Sequence, residues 1–149
     1  MNPTFHSRGS FITKYNTNAF LEMNNEAVAI SIITNESEKF DLNPAWSDSI
    51  QLEFEDADDR NPNCFSKDQA DLLFNFISKN IRKKSIIIHC TAGVSRSAAV
   101  ALFIEECMLG NQIELHRSSY CNYNRHVFKL LRNEWVQDQI EYKNLGMLL

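Results

Sequence analysis

The order of apolar and polar residues along the chain predicts three strands. Residues 27–34 are rich in β-branched side chains, and residues 49–55 alternate apolar with polar positions, which is the period of a strand with one solvated face. Residues 85–89 include three consecutive isoleucines, a run that is typical of a strand buried on both faces. We therefore place residues 85–89 at the centre of a sheet.

Three further segments predict helices that alternate with these strands. The first begins after Ser66, which forms a capping-box pattern with Gln69. Its apolar positions share one face and are Ala70, Leu73, Phe74, Ile77 and Ile81. The second, residues 97–109, is apolar on nearly all sides, as a buried helix would be, and Gly110 after it is a typical left-handed cap. The third runs from about residue 124 to residue 138.

Length and composition limit the number of domains. The chain has 149 residues, of which 44% are hydrophobic, and only 4 Gly and 3 Pro, which excludes collagen-like and disordered classes. A chain of this length buries enough surface to fold without disulfides or metals. Because strands alternate with helices, we expect one compact α/β domain over residues 1–149, with a core at about 27–138. Its central, mainly parallel sheet would be flanked by helices.

Charge, apolar runs and cysteine spacing exclude several other classes. The net charge of −4 argues against a protein whose main partner is nucleic acid. The longest apolar run, residues 98–104, is far shorter than the roughly 20 residues that cross a membrane, and the N-terminus has no secretory signal. The four cysteines contain no C-x-x-C pair, which disfavours a zinc site. We expect a cytoplasmic protein with no membrane insertion, no metal and no cofactor.

The segment after the central strand has an unusual composition. It consists of His89-Cys90-Thr91-Ala92-Gly93-Val94-Ser95-Arg96-Ser97. A Cys preceded by His, with Gly three residues on and Arg-Ser six and seven residues on, is expected by chance on the order of once in 10⁵ such chains. Chance is therefore a poor explanation of the pattern.

This segment resembles the H-C-x-x-G-x-x-R-S/T signature of the cysteine-dependent protein tyrosine phosphatases, and its T-A-G-V-S interior is most similar to the dual-specificity branch. The signature covers nine residues, and the order of elements extends the resemblance loosely over residues 27–131. The resemblance implies a dual-specificity phosphatase-like fold. It also implies hydrolysis of phosphotyrosine in protein substrates, with phosphoserine and phosphothreonine left open, by way of a cysteinyl-phosphate intermediate.

The physical chemistry of a strand-to-helix loop agrees with this reading. Backbone N–H groups at a helix N-terminus attract anions. The residues that would form such a phosphate cradle are Thr91, Ala92, Gly93, Val94, Ser95 and Arg96. Arg96 can bind two phosphate oxygens with its planar guanidinium. The same positive field would lower the pKa of Cys90 and make it a nucleophile. The resemblance further implies that the Ser97 hydroxyl donates a hydrogen bond to the thiolate, as its counterpart does in the family.

Phosphate ester cleavage also needs a general acid to protonate the leaving group. Family members carry an Asp in the loop after the strand that precedes the helix before the signature, and Asp56 is the first carboxylate there. Asp58 and Asp59 are rivals for this role. The segment Trp46-Ser47-Asp48 looks like a motif of larger tyrosine phosphatases. It precedes the predicted strand at residues 49–55, so we interpret it as a superficial similarity without a catalytic role.

Two residues are expected to support the site rather than to react. His89 would orient Cys90 through hydrogen bonds to the backbone. Asn124 resembles an Asn that dual-specificity enzymes carry at the start of the helix after the buried one, and it could equally serve as a helix N-cap alone.

Other functions remain open at the level of sequence. An RNA 5′-phosphatase or a phosphoinositide phosphatase is one alternative, although relatives of that kind often carry Lys inside the loop, where this chain has Ala92 and Val94. A phosphate-binding pseudophosphatase is another. A rhodanese-like sulfur-transfer protein is the third, but the pair Arg96-Ser97 suits phosphate better.

Overall fold

The computed structural model describes residues 1–115 and 118–148, and in this part of the chain it has one parallel sheet. The strands are β1 (Asn2–Ser7), β2 (Ala27–Ile33), β3 (Asp48–Glu53) and β4 (Ser85–Cys90). Their order across the sheet is β1-β4-β2-β3, and every neighbouring pair is parallel. The strand predicted to be central, β4, is thus an interior strand.

Helices and helical turns connect the strands. They are α1 (Arg8–Ser10), a π-helical turn (Phe11–Tyr15), α2 (Asn18–Met23), a 3₁₀ turn (Glu36–Glu38), α3 (Lys67–Asn80), α4 (Arg96–Phe103), a π-helical turn (Ile104–Met108) and α5 (Arg125–Leu148). The capping box predicted at the start of α3 is present, with Ser66 Oγ accepting from Gln69 N at 3.1 Å. In the described residues no helix is long and apolar enough to span a membrane.

Alternating side chains of the sheet pack into two hydrophobic layers. On one face, residues such as Ile30 and Ile88 pack with α3, α4 and the first turns of α5. On the other face, Ala29 and Ile87 pack against a smaller cluster that includes Phe11, from the segment that follows β1. The α/β architecture with a parallel sheet and helices on both faces is therefore confirmed.

The N-terminal part of the fold was not predicted from the sequence. β1 pairs with β4 although it contains Pro3, and this is possible because β1 lies at the edge of the sheet, where one side of the strand needs no hydrogen bonds. Residues before 27 also add Phe11 and Leu21 to the buried interior. The N-terminal segment thus supplies both a strand and one of the two hydrophobic layers.

The predicted ends of two helices also differ from the observed ones. The buried helix, expected over residues 97–109, is α-helical to Phe103 and continues as a π-helical turn to Met108. Gly110 after it has φ 72°, the left-handed cap that was predicted. The last helix does not end at residue 138 but continues to Leu148, and its residues 136–146 are exposed. Apolar residues of this part, such as Val136, Ile140 and Leu145, are exposed, so they pack against no buried face that would mark where the helix ends.

Candidate active site

The loop of residues 91–95 joins the end of β4 to the start of α4 at the carboxyl edge of the sheet, where ligands bind in open parallel sheets. Gly93 in this loop has φ 72°, and a Cβ at this position would lie 2.4 Å from backbone atoms of both His6 and Ser7. Only glycine fits there. The end of β1 therefore packs directly against the loop and fixes its shape.

Cys90 is the last residue of β4, and its buried sulfur lies among hydrogen-bond donors of the loop. Ser97 Oγ lies 3.1 Å from Cys90 Sγ. Burial raises the pKa of the Cys90 thiol, but hydrogen bonds from the Ser97 hydroxyl and from the backbone N–H groups of Ser97, Gly93 and Val94 outweigh it, so the pKa lies below its ordinary value. The loop thus stabilises a thiolate.

Arg96 is the first residue of α4, and only 4% of its surface is exposed. One end of the guanidinium donates from Nη1 to the carbonyl of Phe54 at 2.6 Å, and the other donates from Nη2 to Thr91 Oγ1 at 2.9 Å. Arg96 Nε is the one buried side-chain nitrogen or oxygen that lacks a hydrogen-bond partner within the described ranges. A buried donor without an acceptor is costly, and an anion held at the loop would satisfy it.

The structure brings Asp56 to this loop from the segment after β3. Asp56 Oδ1 accepts hydrogen bonds from Ser95 Oγ at 2.8 Å and from Asn124 Nδ2 at 2.7 Å. The backbone N–H of Asn124 in turn donates to the carbonyl of Ser95 at 3.0 Å. Asn124 also caps α5, because its Oδ1 accepts from Val127 N at 3.0 Å. One side chain therefore serves both as a helix cap and as a contact of Asp56.

The chain is similar to known proteins in its fold. No family model and no curated protein sequence matches the chain. Solved structures do match, among them a human tyrosine phosphatase-like serine/threonine/tyrosine-interacting protein, with 17% sequence identity and a TM-score of 0.58 over 98% of this chain and 93% of that one. Tk-PTP in its active form matches with 16% identity and a lower TM-score of 0.46, over 86% of this chain and 74% of that one.

The chain has a protein tyrosine phosphatase-like fold of the dual-specificity type. The fold assignment rests on the human structure, which the chain covers almost end to end. The fold implied by the sequence signature is thereby confirmed. In this phosphatase-like fold the signature residues occupy the end of β4, the loop after it and the start of α4.

Asp58, a rival of Asp56, is held elsewhere in this phosphatase-like fold. Its carboxylate accepts two hydrogen bonds at 3.0 and 2.6 Å from the Nε and Nη2 atoms of Arg60. Hydrogen bonding by the Arg60 side chain is the main cause that lowers the pKa of Asp58 to about 2. Asp58 is therefore a carboxylate at any ordinary pH and has no proton to donate. Asp59 is exposed.

His89 is fully buried and makes hydrogen bonds on both sides of its ring. Nε2 lies 2.6 Å from Ser31 Oγ, and Nδ1 lies 3.2 Å from the carbonyl oxygen of Cys90. Burial is the main cause that lowers the pKa of His89 to about 4, so the ring is neutral at pH 7. The two contacts hold the neutral ring between β2 and the end of β4.

The segment Trp46-Ser47-Asp48 lies away from the loop of residues 91–95, as expected of a superficial similarity. Trp46 is buried in the smaller hydrophobic layer and donates from Nε1 to Asn16 Oδ1 at 2.9 Å. Asp48 begins β3, at the opposite edge of the sheet, where it contacts Asn80 at 2.9 Å and Lys79 at 3.0 Å. These contacts are structural.

Glu38 was not identified from the sequence, although its carboxylate reaches the loop and accepts a hydrogen bond from Thr91 Oγ1 at 2.8 Å. It lies in the 3₁₀ turn after β2, among the acidic residues Glu36 and Asp41. Nothing in its spacing distinguishes it from these neighbours. The contact depends on the pairing of β2 with β4, which brings the ends of these strands together.

Proposed function

We propose that the protein is a metal-independent cysteine phosphatase that acts on phosphorylated proteins, with phosphotyrosine as the primary substrate and phosphoserine and phosphothreonine as further ones. The observation that carries this proposal is the buried Arg96 at the start of α4, whose Nε lacks an acceptor, together with the N–H donors that lower the pKa of Cys90. A phosphate group supplies the acceptors that these donors need.

In the first step the Cys90 thiolate attacks phosphorus in line with the leaving oxygen. An S–P bond forms while the P–O bond to the substrate breaks, and Asp56 donates its proton to the departing oxygen. Arg96 and the backbone N–H groups of the loop hold the equatorial oxygens as charge redistributes. The hydrogen bonds to Asp56 from Ser95 and Asn124 support this role, because they hold the carboxyl group beside the loop.

In the second step water attacks the cysteinyl phosphate. Asp56, now a carboxylate, takes a proton from the water, the new P–O bond forms, and the S–P bond breaks to regenerate the thiolate. Ser97 donates a hydrogen bond to the sulfur as it leaves, which its distance of 3.1 Å from Cys90 Sγ supports. Because the reaction needs a free thiol, we propose a reducing compartment, the cytoplasm, as its location.

Protein substrates are favoured over polyphosphate ligands by the residues around the loop. Ala92 and Val94 of the loop carry no charge, and 43% of the Val94 surface is exposed, so an apolar part of a peptide can contact it. The neighbouring segment after β3 carries Asp56, Asp58 and Asp59, which would repel the further phosphates of RNA ends or inositides.

The test is hydrolysis of an aryl phosphate and of a phosphotyrosine peptide in the presence of a chelator and a reductant. We expect activity in the wild type, none in Cys90→Ser, and unchanged activity in Cys121→Ser, which alters an exposed thiol. A wild type that binds vanadate but does not turn over would make the protein a phosphate-binding module instead. A wild type that does neither would refute the proposal entirely.

A further inference from the structure

The carboxylate of Glu38 is connected to Arg96 through the hydroxyl group of Thr91. Thr91 Oγ1 lies 2.8 Å and 3.0 Å from the two carboxylate oxygens of Glu38. Arg96 Nη2 donates to the same hydroxyl oxygen at 2.9 Å. Thr34 Oγ1, at the end of β2, lies 3.2 Å from it. Three polar side chains therefore contact the hydroxyl group of Thr91.

The direction of each hydrogen bond follows from the number of protons available. A threonine hydroxyl has one proton and two acceptor lone pairs, whereas a carboxylate can only accept. The Thr91 proton must therefore point to Glu38. Arg96 and Thr34 must both donate to the Thr91 oxygen, so both of its lone pairs are occupied. Without Glu38 the Thr91 hydroxyl could rotate so that its proton points toward the Arg96 guanidinium, and the two donors would then repel each other.

Glu38 is itself fixed in place. Its Oε1 accepts from the backbone N–H of Thr34 at 2.6 Å, and its carbonyl oxygen accepts from Arg8 Nε at 2.9 Å. Burial raises the pKa of Glu38, but the hydrogen bonds from Thr34 and Thr91 and the charge of Arg96 together outweigh burial. The pKa of Glu38 therefore lies below its ordinary value, and the group stays a carboxylate. The acceptor for Thr91 is thus permanent at neutral pH.

We propose that Glu38 is a positioning residue for the phosphatase reaction, which acts through Thr91 to hold the Arg96 guanidinium with Nε toward the substrate phosphate. The inference rests on the proposed function, because it assigns Glu38 to the same site. Phe54 fixes the other end of the guanidinium through its carbonyl oxygen, so Thr91 and Phe54 together determine its plane. The N–H donors of a planar guanidinium contribute most to phosphate binding when the plane is fixed before the phosphate binds.

The hydroxyl of Thr91 also separates the negative charge of Glu38 from that of the phosphate. A carboxylate in direct contact with the phosphate would repel it. With Thr91 between them, Glu38 orients the arginine without meeting the phosphate.

The experiment measures kcat/KM for an aryl phosphate and the inhibition constant of vanadate in a set of variants. Thr91→Val removes the hydroxyl, and Thr91→Ser keeps it. In Glu38→Gln the amide oxygen can keep the hydrogen bond from Thr34 N, while the amide NH₂ replaces the oxygen that lies 2.8 Å from Thr91 Oγ1, so a donor faces the hydroxyl instead of an acceptor. Glu36→Gln is its matched control, since Glu36 lies in the same turn and its carboxylate faces Lys39 at 3.7 Å. Thermal unfolding of each variant is measured in parallel.

We expect Thr91→Val and Glu38→Gln each to lower kcat/KM and to weaken vanadate inhibition by about tenfold, as for loss of a hydrogen bond to a charged group. Thr91→Ser, which keeps the hydroxyl, should recover most of the kcat/KM and vanadate inhibition that Thr91→Val loses. Glu36→Gln should stay within about twofold of the wild type. Because Glu38 acts through Thr91, the double variant should be no worse than Thr91→Val alone.

Three outcomes would overturn the inference while leaving the proposed function intact. In the first, Glu38→Gln retains wild-type kcat/KM and vanadate inhibition. In the second, the effects of the two substitutions multiply in the double variant, so that Glu38 acts independently of Thr91. In the third, Glu38→Gln lowers only the unfolding temperature. A wild type that neither hydrolyses the substrate nor binds vanadate would instead refute the proposed function, and the inference with it.

Discussion

The side-chain amide of Asn124 donates a hydrogen bond of 2.7 Å to Asp56 Oδ1, across 68 positions of the sequence. The amide nitrogen thus contacts the loop after β3, while the amide oxygen of the same side chain caps α5. The two contacts can be separated experimentally because they use different atoms.

Replacing Asn124 with Ser is expected to keep the cap and lose the contact with Asp56, since a serine hydroxyl can accept from Val127 N but is too short to reach the carboxylate. The variant should retain the wild-type unfolding temperature while kcat for a phenyl phosphate falls about tenfold through a misplaced acid. Asn124→Ala should in addition lose about 1 kcal/mol of unfolding free energy. Equal kcat in Asn124→Ser and the wild type would show that the contact with Asp56 is incidental.

The identity of the general acid can be decided by the pH dependence of kcat. An acid must carry its proton to act, so the rate should fall as pH rises and the acid ionises. Asp56→Asn should lower kcat by about 10² to 10⁴ at the pH optimum and remove this alkaline decline. Asp58→Asn should leave the decline in place, because the hydrogen bonds from Arg60 hold the pKa of Asp58 at about 2 and its carboxyl group is already ionised throughout.

Asp59→Asn serves as a second control in the same experiment, since this residue is exposed in the same loop. Loss of the alkaline decline in Asp58→Asn or Asp59→Asn, but not in Asp56→Asn, would reassign the acid.

The ionisation of Cys90 can be followed by its rate of alkylation with iodoacetamide. Because the pKa of Cys90 is lowered, the thiolate should persist at pH values at which an ordinary thiol is protonated, and alkylation should continue where that of free glutathione has declined. Ser97→Ala removes one of the donors and should move the midpoint of the profile to higher pH. A profile that coincides with that of glutathione, or a Ser97→Ala profile that does not move, would contradict the assigned contacts.

Two glycines with the same backbone angle test the packing of β1 against the loop. Gly93 and Gly110 both have φ 72°, but a Cβ at Gly93 would overlap the backbone of His6 and Ser7, whereas Gly110 has open space. Gly110→Ala should cost about 1 kcal/mol of unfolding free energy from backbone strain and leave vanadate binding unchanged. Gly93→Ala should weaken vanadate binding by at least about tenfold, because the loop must shift and its backbone N–H groups then no longer point at the bound anion. Equal effects on vanadate binding would show that the overlap is absorbed elsewhere.

Sequence patterns predicted the parts of the fold that depend on local physics. The capping box of Ser66 and Gln69, the buried strand before Cys90 and the left-handed cap at Gly110 each follow from a few neighbouring residues, and all three are present. The fold class followed from the alternation of such elements.

The parts that were missed depend on contacts between distant segments. β1 has no β-branched run and contains Pro3, which disfavours a strand, and it is a strand because it pairs with β4 along its whole length. Glu38 is one acidic residue among several until the pairing of β2 with β4 places it beside Thr91. The sequence named Asp56, Asp58 and Asp59 as candidate acids, and the structure distinguishes Asp58 by its contacts with Arg60.

Trapping the covalent intermediate shows whether Cys90 is the nucleophile. The enzyme is mixed with an aryl phosphate, quenched with acid within milliseconds, digested and analysed by mass spectrometry. We expect one added phosphoryl group on the peptide that contains Cys90, with the modification on sulfur, and none in Cys90→Ser. Turnover of the substrate without any phosphoryl group on Cys90, or with the group on another residue, would contradict this expectation.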